Sequence, residues 1–276
     1  MTDVFHMFSY AFIQRALLVG VLVSLCSALL GVSLVLKRYS MIGDGLSHVG
    51  FGALAVAAAL GLAPLKAAIP VVIIAAFFLL RLSESSSIKG DSAIALVSSG
   101  ALAVGIVVVS AVSGMNTDIM NYMFGSILSV GTEDAFLSIV ISLIVLILYV
   151  LLFNRIFAVT FDENFAKASG VRVGLFNTIL AVLTAVTIVI GMRMMGALLI
   201  SSLIIFPSLT AMRVCKRFKP VVITSAVLSV LTFLIGFMLS YIFETPTGAT
   251  IVCVDVLVFI LFSIIGRVKA CRISVQ

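Results

Sequence analysis

Long apolar runs follow one another along almost the whole chain, each separated from the next by only a few polar residues. A bilayer core about 30 Å thick is crossed by about 20 helical residues, and inside it only helices or closed barrels satisfy every backbone N–H and C=O. The runs are continuous rather than alternating, so they read as helices and not as barrel strands. Of the 276 residues, 63% are hydrophobic and 10% charged, whereas ordinary soluble domains carry about 25% charged residues. So few charges cannot build an aqueous surface. No Pro-, Ser- or charge-rich linker interrupts the pattern, and residues 1–276 read as a single transmembrane domain, an all-α integral membrane protein.

Spans are predicted near residues 16–36, 41–63, 67–82, 92–114, 135–153, 173–192, 194–212, 220–243 and 249–266. That count is nine, with eight as the alternative. Run 67–82 is short and carries Pro70, and the two runs meeting at Gly191-Met192-Arg193 form either two spans or one broken, re-entrant segment. Charge decides the orientation, because cytoplasmic loops collect Lys and Arg. With the N-terminus outside, fourteen of the 17 basic residues fall on the inner side, leaving Arg15, Lys66 and Arg193 at the outer side. The net charge of +6 is therefore a topology signal, with no basic face laid out for nucleic acid. Residues 1–10 carry Asp3 and His6 rather than a basic region, and the run after Arg15 is too long for a cleavable signal, so the first span is expected to be retained. Cys26, Cys215, Cys253 and Cys271 show no metal-ligand or redox spacing and are expected to be free thiols.

Inside a span, an Asp or Lys costs about 2.5–3.5 kcal/mol at the helix centre, so the few polar residues there need a reason. In Gly43-Asp44-Gly45-Leu46-Ser47-His48, the acid and the histidine are four residues apart and share one helical face. Carboxylate and imidazole suit Zn²⁺, Mn²⁺ or Fe²⁺, and two such ligands make an incomplete site from which an ion can leave. The plainer alternative is a helix start, with Asp44 as N-cap or first-turn charge and His48 a hydrogen-bonded bundle residue. Asp255, alone in an apolar run, is a further candidate for the pathway or for a buried pairing. Glu244-Thr245-Pro246-Thr247-Gly248 reads as a helix break on the outer face. Met192, Met194 and Met195 read as packing rather than as soft ligands.

On the inner side, the stretch from Thr160 to Val171 opens with Asp162-Glu163, continues through helix formers including Ala166, and stops at Gly170. Acids at the start and Gly at the end predict a short extramembrane helix, which is either an ordinary loop helix or a surface for a partner. No P-loop, His-Glu-x-x-His or Gly-x-Ser-x-Gly motif occurs, so any ATP that drives this protein is hydrolysed by another chain.

Taken with the preceding Lys37-Arg38-Tyr39-Ser40-Met41-Ile42, the segment running to His48 closely resembles the signature of permease subunits of bacterial metal-ion ABC importers, the zinc, manganese and iron group. Gly45 stands where that family usually has Ala, and Phe51 where it often has Leu. The Asp162 to Gly170 segment is similar to the family's ATPase-docking loop. Gly196-Ala197-Leu198-Leu199 through Pro207 to Ala211, and Pro246-Thr247-Gly248, resemble two further motifs. The resemblance implies a bundle like that of the vitamin B12-type importers, sitting in the bacterial inner membrane and not itself an enzyme. It implies a homodimer, two cytoplasmic ATP-binding subunits and an extracytoplasmic metal-binding protein as partners, alongside membrane lipid. Asp44 and His48 would contact the transported divalent ion, with no permanently bound cofactor. Asp162, Glu163, Ala166 and Gly170 would serve ATPase docking. The alternatives are a permease for siderophore, haem or cobalamin and a secondary metal-ion transporter; a membrane enzyme lacks a full catalytic set. Which metal is carried does not follow from the residues, since all three ions accept the same ligands.

Overall fold

The computed structural model describes residues 10–84, 90–112, 125 and 131–273. Within them the chain is helical throughout: α1 (Ala11–Leu36), α2 (Ser40–Ala59), α3 (Pro64–Glu84), α4 (Gly90–Ala111), α5 (Thr132–Phe161), α6 (Glu163–Ala168), α7 (Val173–Met195), α8 (Ala197–Val214), α9 (Phe218–Phe243) and α10 (Thr247–Ile273). All but α6 are long and apolar enough to cross a membrane, which makes nine spans among the described residues. Helix α3 continues through Pro70, its seventh residue, where the missing N–H leaves the Lys66 carbonyl without its helical bond, a defect that membrane helices tolerate.

Two polar links on opposite sides of the bundle establish the alternation. Lys37 at the end of α1 bonds Glu163 of α6 and Asn177 near the start of α7. Arg193, near the end of α7, approaches Asp134 at the start of α5 at 3.4 Å. Helices α5 and α7 therefore each run from one face to the other, in opposite directions. With Lys37 inside by the positive-inside rule, the N-terminal helix starts outside and α10 ends inside. The innermost helix is α1, which packs on α5, α7, α8 and α9. Helices α3, α4, α5 and α10 turn most of their surface outward, exposing large side chains such as Leu96, Val107, Leu151 and Leu257. Apolar outer faces suit a lipid solvent.

Without a hydrophobic drive between helices in lipid, small residues and hydroxyls bring the backbones together. Ser229 donates to the Ser24 carbonyl at 3.0 Å, and Ser208 and Ser225 lie 3.4 Å apart, lacing α1, α8 and α9. At Gly31 the contact is closer still: an added Cβ would lie 2.1 Å from the Ile204 carbonyl oxygen. We expect Gly31→Ala to force α1 and α8 apart at roughly 1–3 kcal/mol, the usual range for overpacking. Gly43→Ala meets only Ile204 Cδ1 at 3.4 Å and should be tolerated structurally. Thermal melting of the two detergent-solubilised variants checks this, and equal melting temperatures would refute it.

The break expected at Gly191-Met192-Arg193 lies instead at Gly196. Gly191 is inside α7, packed against Ile200 and Val23. Gly196 has φ 89° and ψ 155°, a backbone region open essentially to glycine alone. The chain reverses there in a single residue, so α7 and α8 are two separate spans rather than one re-entrant segment.

Candidate functional site

The turn that delivers the Asp44 segment is a Schellman closure. Tyr39 N–H donates to the Leu34 carbonyl at 2.8 Å and Arg38 N–H to the Val35 carbonyl at 3.1 Å, the paired bonds that end a helix with one left-handed residue. That residue is Arg38, at φ 61°, where glycine is usual. Helix α2 then begins at Ser40 with Tyr39 as its N-cap residue and no side-chain cap bond. Asp44 is the fifth residue of α2 and caps nothing. The plainer alternative for it therefore fails on geometry.

Asp44 Oδ2 and His48 Nε2 stand 3.7 Å apart across one helical turn, with side chains 45% and 29% exposed. They open onto a cavity of about 400 Å³ between α2 and the first half of α8, with Leu102 of α4 closing one side. Ser47 and Ser201 hydroxyls, 2.7 Å apart, pin α2 to α8 behind the pair. Ala197, Ser202, Ile205 and Phe206 complete the α8 wall, and Phe51 the α2 wall. A carboxylate and an imidazole thus face a largely apolar space where their attraction for a cation is little diluted by water. Asp44 is half-exposed. No group of three or more His, Cys, Asp or Glu side chains gathers among the described residues. Asp255 does not line this cavity. It is 2% exposed in α10, and Oδ2 has no hydrogen-bond partner among the described residues. Ser201 and the α8 start were not among the site residues read from the sequence, although the Gly196-Ala197-Leu198-Leu199 motif marked the segment; the structure puts them on the cavity wall.

At the inner face, α6 forms as expected. Asp162 Oδ1 caps it by accepting from Asn164 N–H at 2.9 Å and Phe165 N–H at 3.0 Å. Gly170, at φ 80°, closes it, with Val171 N–H donating to the Ala166 carbonyl at 2.9 Å. The four residues read as docking positions separate into two pairs. Asp162 and Gly170 are on the exposed side, while Ala166 is buried against Val159 and Val173 and Glu163 turns inward to Lys37. The large apolar side chains most exposed in this region are Phe165, at 66%, and Phe161, at 74% at the end of α5.

Burial acts to raise the Glu163 carboxyl, but the Lys37 bond and charge, with Asn177 and Lys167, outweigh it and hold the group below its ordinary value of 4.5. A carboxyl depressed on folding contributes stability that is present above the ordinary value and is lost as pH falls through the folded one. Wild-type protein should therefore lose more of its melting temperature than Glu163→Gln on acidification below 4.5. Parallel pH profiles would contradict this.

Nine apolar spans among the described residues, a largely apolar cavity that holds one carboxylate and one imidazole, and a capped helix beyond the inner face describe a polytopic membrane protein built as a permease would be. The chain belongs to the ABC 3 transport family, whose sequence profile matches residues 9–266. It is similar to the manganese import system permease protein ScaB of Streptococcus gordonii, at 29% identity over 91% of this chain and 90% of that one. It is also similar to the high-affinity zinc uptake system membrane protein ZnuB of Haemophilus influenzae, at 29% identity over 89% of this chain and 94% of that one. Among solved structures, PsaBC from Streptococcus pneumoniae in complex with Fab superposes with a TM-score of 0.85 and 28% identity, covering 95% of this chain and 94% of that chain. The protein is a multi-pass cell-membrane protein.

Proposed function

We propose that this chain is the permease subunit of an ATP-driven importer of a divalent transition-metal ion, manganese, zinc or iron. It works as a homodimer with two cytoplasmic ATP-binding subunits that carry out all the hydrolysis, and it receives the ion from an extracytoplasmic binding protein. The observation that carries this reading is the Asp44–His48 pair. These two side chains share one helical face, open onto the cavity and cap nothing. One protomer offers too few ligands, and a two-fold axis beside the exposed Asp44 would bring two such pairs to one ion. Four carboxylate and imidazole ligands suit all three metals, and their assembly from separate chains keeps the site weak enough to release its cargo. The names of the relatives, manganese import and zinc uptake permeases, support the same class.

Co-expression with the ATPase subunit of the same transport system, followed by cross-linking at Met41→Cys, tests the assembly. Met41 is 48% exposed one turn before Asp44. A cross-linked permease dimer that retains the ATPase is expected; a monomer without ATPase would contradict the proposal.

A further inference from the structure

Lys37 is out of character for the inner end of a membrane helix. Lysine there ordinarily snorkels to water, yet 4% of this side chain is exposed. Its Nζ donates to Glu163 Oε1 at 2.6 Å and to Asn177 Oδ1 at 2.5 Å, and Asn177 Nδ2 donates to the same Glu163 oxygen at 3.3 Å. Three elements meet at this triad: the α1–α2 turn, the cytoplasmic helix α6 and the first turns of α7.

The positions of these residues matter more than their strength. Lys37 is buried and Glu163 half-exposed, so the pair adds little net stability, while removal of Glu163 would leave a buried ammonium without its counter-charge; the pair fixes geometry more than it adds stability. Here the fixed geometry runs from α6, the one extramembrane helix among the described residues, to the residue that precedes the left-handed Arg38. Arg38 strains the turn because a side chain stands where glycine is preferred. Beyond it, α2 reaches Asp44 in little more than one helical turn. Glu163, its side chain 42% exposed, thus keeps one edge open to the inner face while its Oε1 reaches Lys37 at the root of the helix that carries the candidate metal ligands.

We propose that Lys37, Glu163 and Asn177 form the link that passes movement of α6 to the α1–α2 turn, and so to Asp44 and His48. The proposal rests on the importer reading above. It assigns Lys37 and Glu163 as positioning residues: neither touches the ion, and both hold α2 in register with whatever moves α6. The basic residue just before the Asp44 motif then has a mechanical task in addition to its topological one.

The test uses the permease–ATPase complex in lipid vesicles, with a spin label on Met41→Cys in a background whose native cysteines are replaced. Addition of Mg-ATP should change the label spectrum in the otherwise wild-type complex, and Lys37→Met should remove that change while the ATPase stays bound. Metal uptake per ATP hydrolysed should fall roughly tenfold, within the range by which single residues alter coupling between sites. The exchanged pair Lys37→Glu with Glu163→Lys should restore both readouts. A label that responds to ATP equally in Lys37→Met, or no response in the parent complex, overturns the link. If Lys37→Met does not fold, the exchanged pair decides: folded and coupled supports the link, folded and uncoupled refutes it. A parent complex that takes up no manganese, zinc or iron refutes the importer reading alone, because the label response needs no metal.

Discussion

Asp44→Asn is expected to reduce metal accumulation to the background of cells lacking the permease, while membrane abundance and ATPase association stay at wild-type levels. Asn has the size of Asp and keeps one acceptor oxygen, so packing in α2 is preserved. What it removes is the anionic charge. A divalent ion entering the apolar cavity loses water, and only charge and good donor atoms offset that loss in a low-dielectric space. The contrast with a capping role is sharp. Loss of an N-cap typically costs roughly 0.5–2 kcal/mol, but Asn is as good a cap as Asp, so a capping Asp44 would be replaced silently. His48→Ala should have the same effect, since a methyl group offers no donor atom. Accumulation of radiolabelled ions by cells, normalised to immunoblotted permease, is the measurement. A well-expressed Asp44→Asn variant with normal uptake would contradict the site.

The second large effect is expected at the cytoplasmic face. Phe165→Asp should abolish retention of the ATPase subunit, with the permease itself still folded and inserted. The side chain is 66% exposed on a capped helix, and exposed aromatic residues are typical anchors of an interface. Truncation of a central aromatic anchor costs roughly 2–4 kcal/mol of binding, and placing a charge there makes the loss larger. Phe165 touches little of the bundle, so its replacement leaves the fold intact, whereas Ala166→Asp would bury a charge against Val159 and Val173 and unfold α6. Gly170→Trp is a less direct probe, because φ 80° there strains any side chain regardless of a partner. Pull-down with tagged ATPase distinguishes the cases. Undiminished capture by Phe165→Asp would move the docking surface elsewhere.

The spans were legible because apolar side chains partition into lipid, a matter of single-residue chemistry; their direction rests on the retention of basic residues inside. The Asp44–His48 face was legible for a similar reason, since four residues on a helix return to the same side. Three features were not. The chain reversal at Gly196 depends on a backbone conformation, and Gly191 five residues earlier is an equally plausible glycine until packing against Ile200 shows it to be helical. The burial of Lys37 depends on Glu163 and Asn177, each more than a hundred residues away, and composition assigns all loop lysines alike to topology. The Glu163 contact is the same one, so an acid that reads as a plain surface residue is half-covered and tied to a buried lysine. In each case the missing information was a long-range contact, which periodicity and charge counts do not contain.

The central claim, that Asp44 and His48 are contacts for an ion moved by ATP, is tested most directly by transport in vesicles. The permease and its ATPase are reconstituted with the cognate binding protein, and labelled manganese, zinc and iron are offered with ATP, without ATP, and with Asp44→Asn in place of the wild type. The account predicts accumulation of at least one of the three ions that requires ATP and vanishes with Asp44→Asn, while the variant still hydrolyses ATP and still binds its ATPase. ATP-dependent accumulation that persists undiminished in Asp44→Asn, or no ATP-dependent accumulation of any of the three by the wild-type complex, would contradict it.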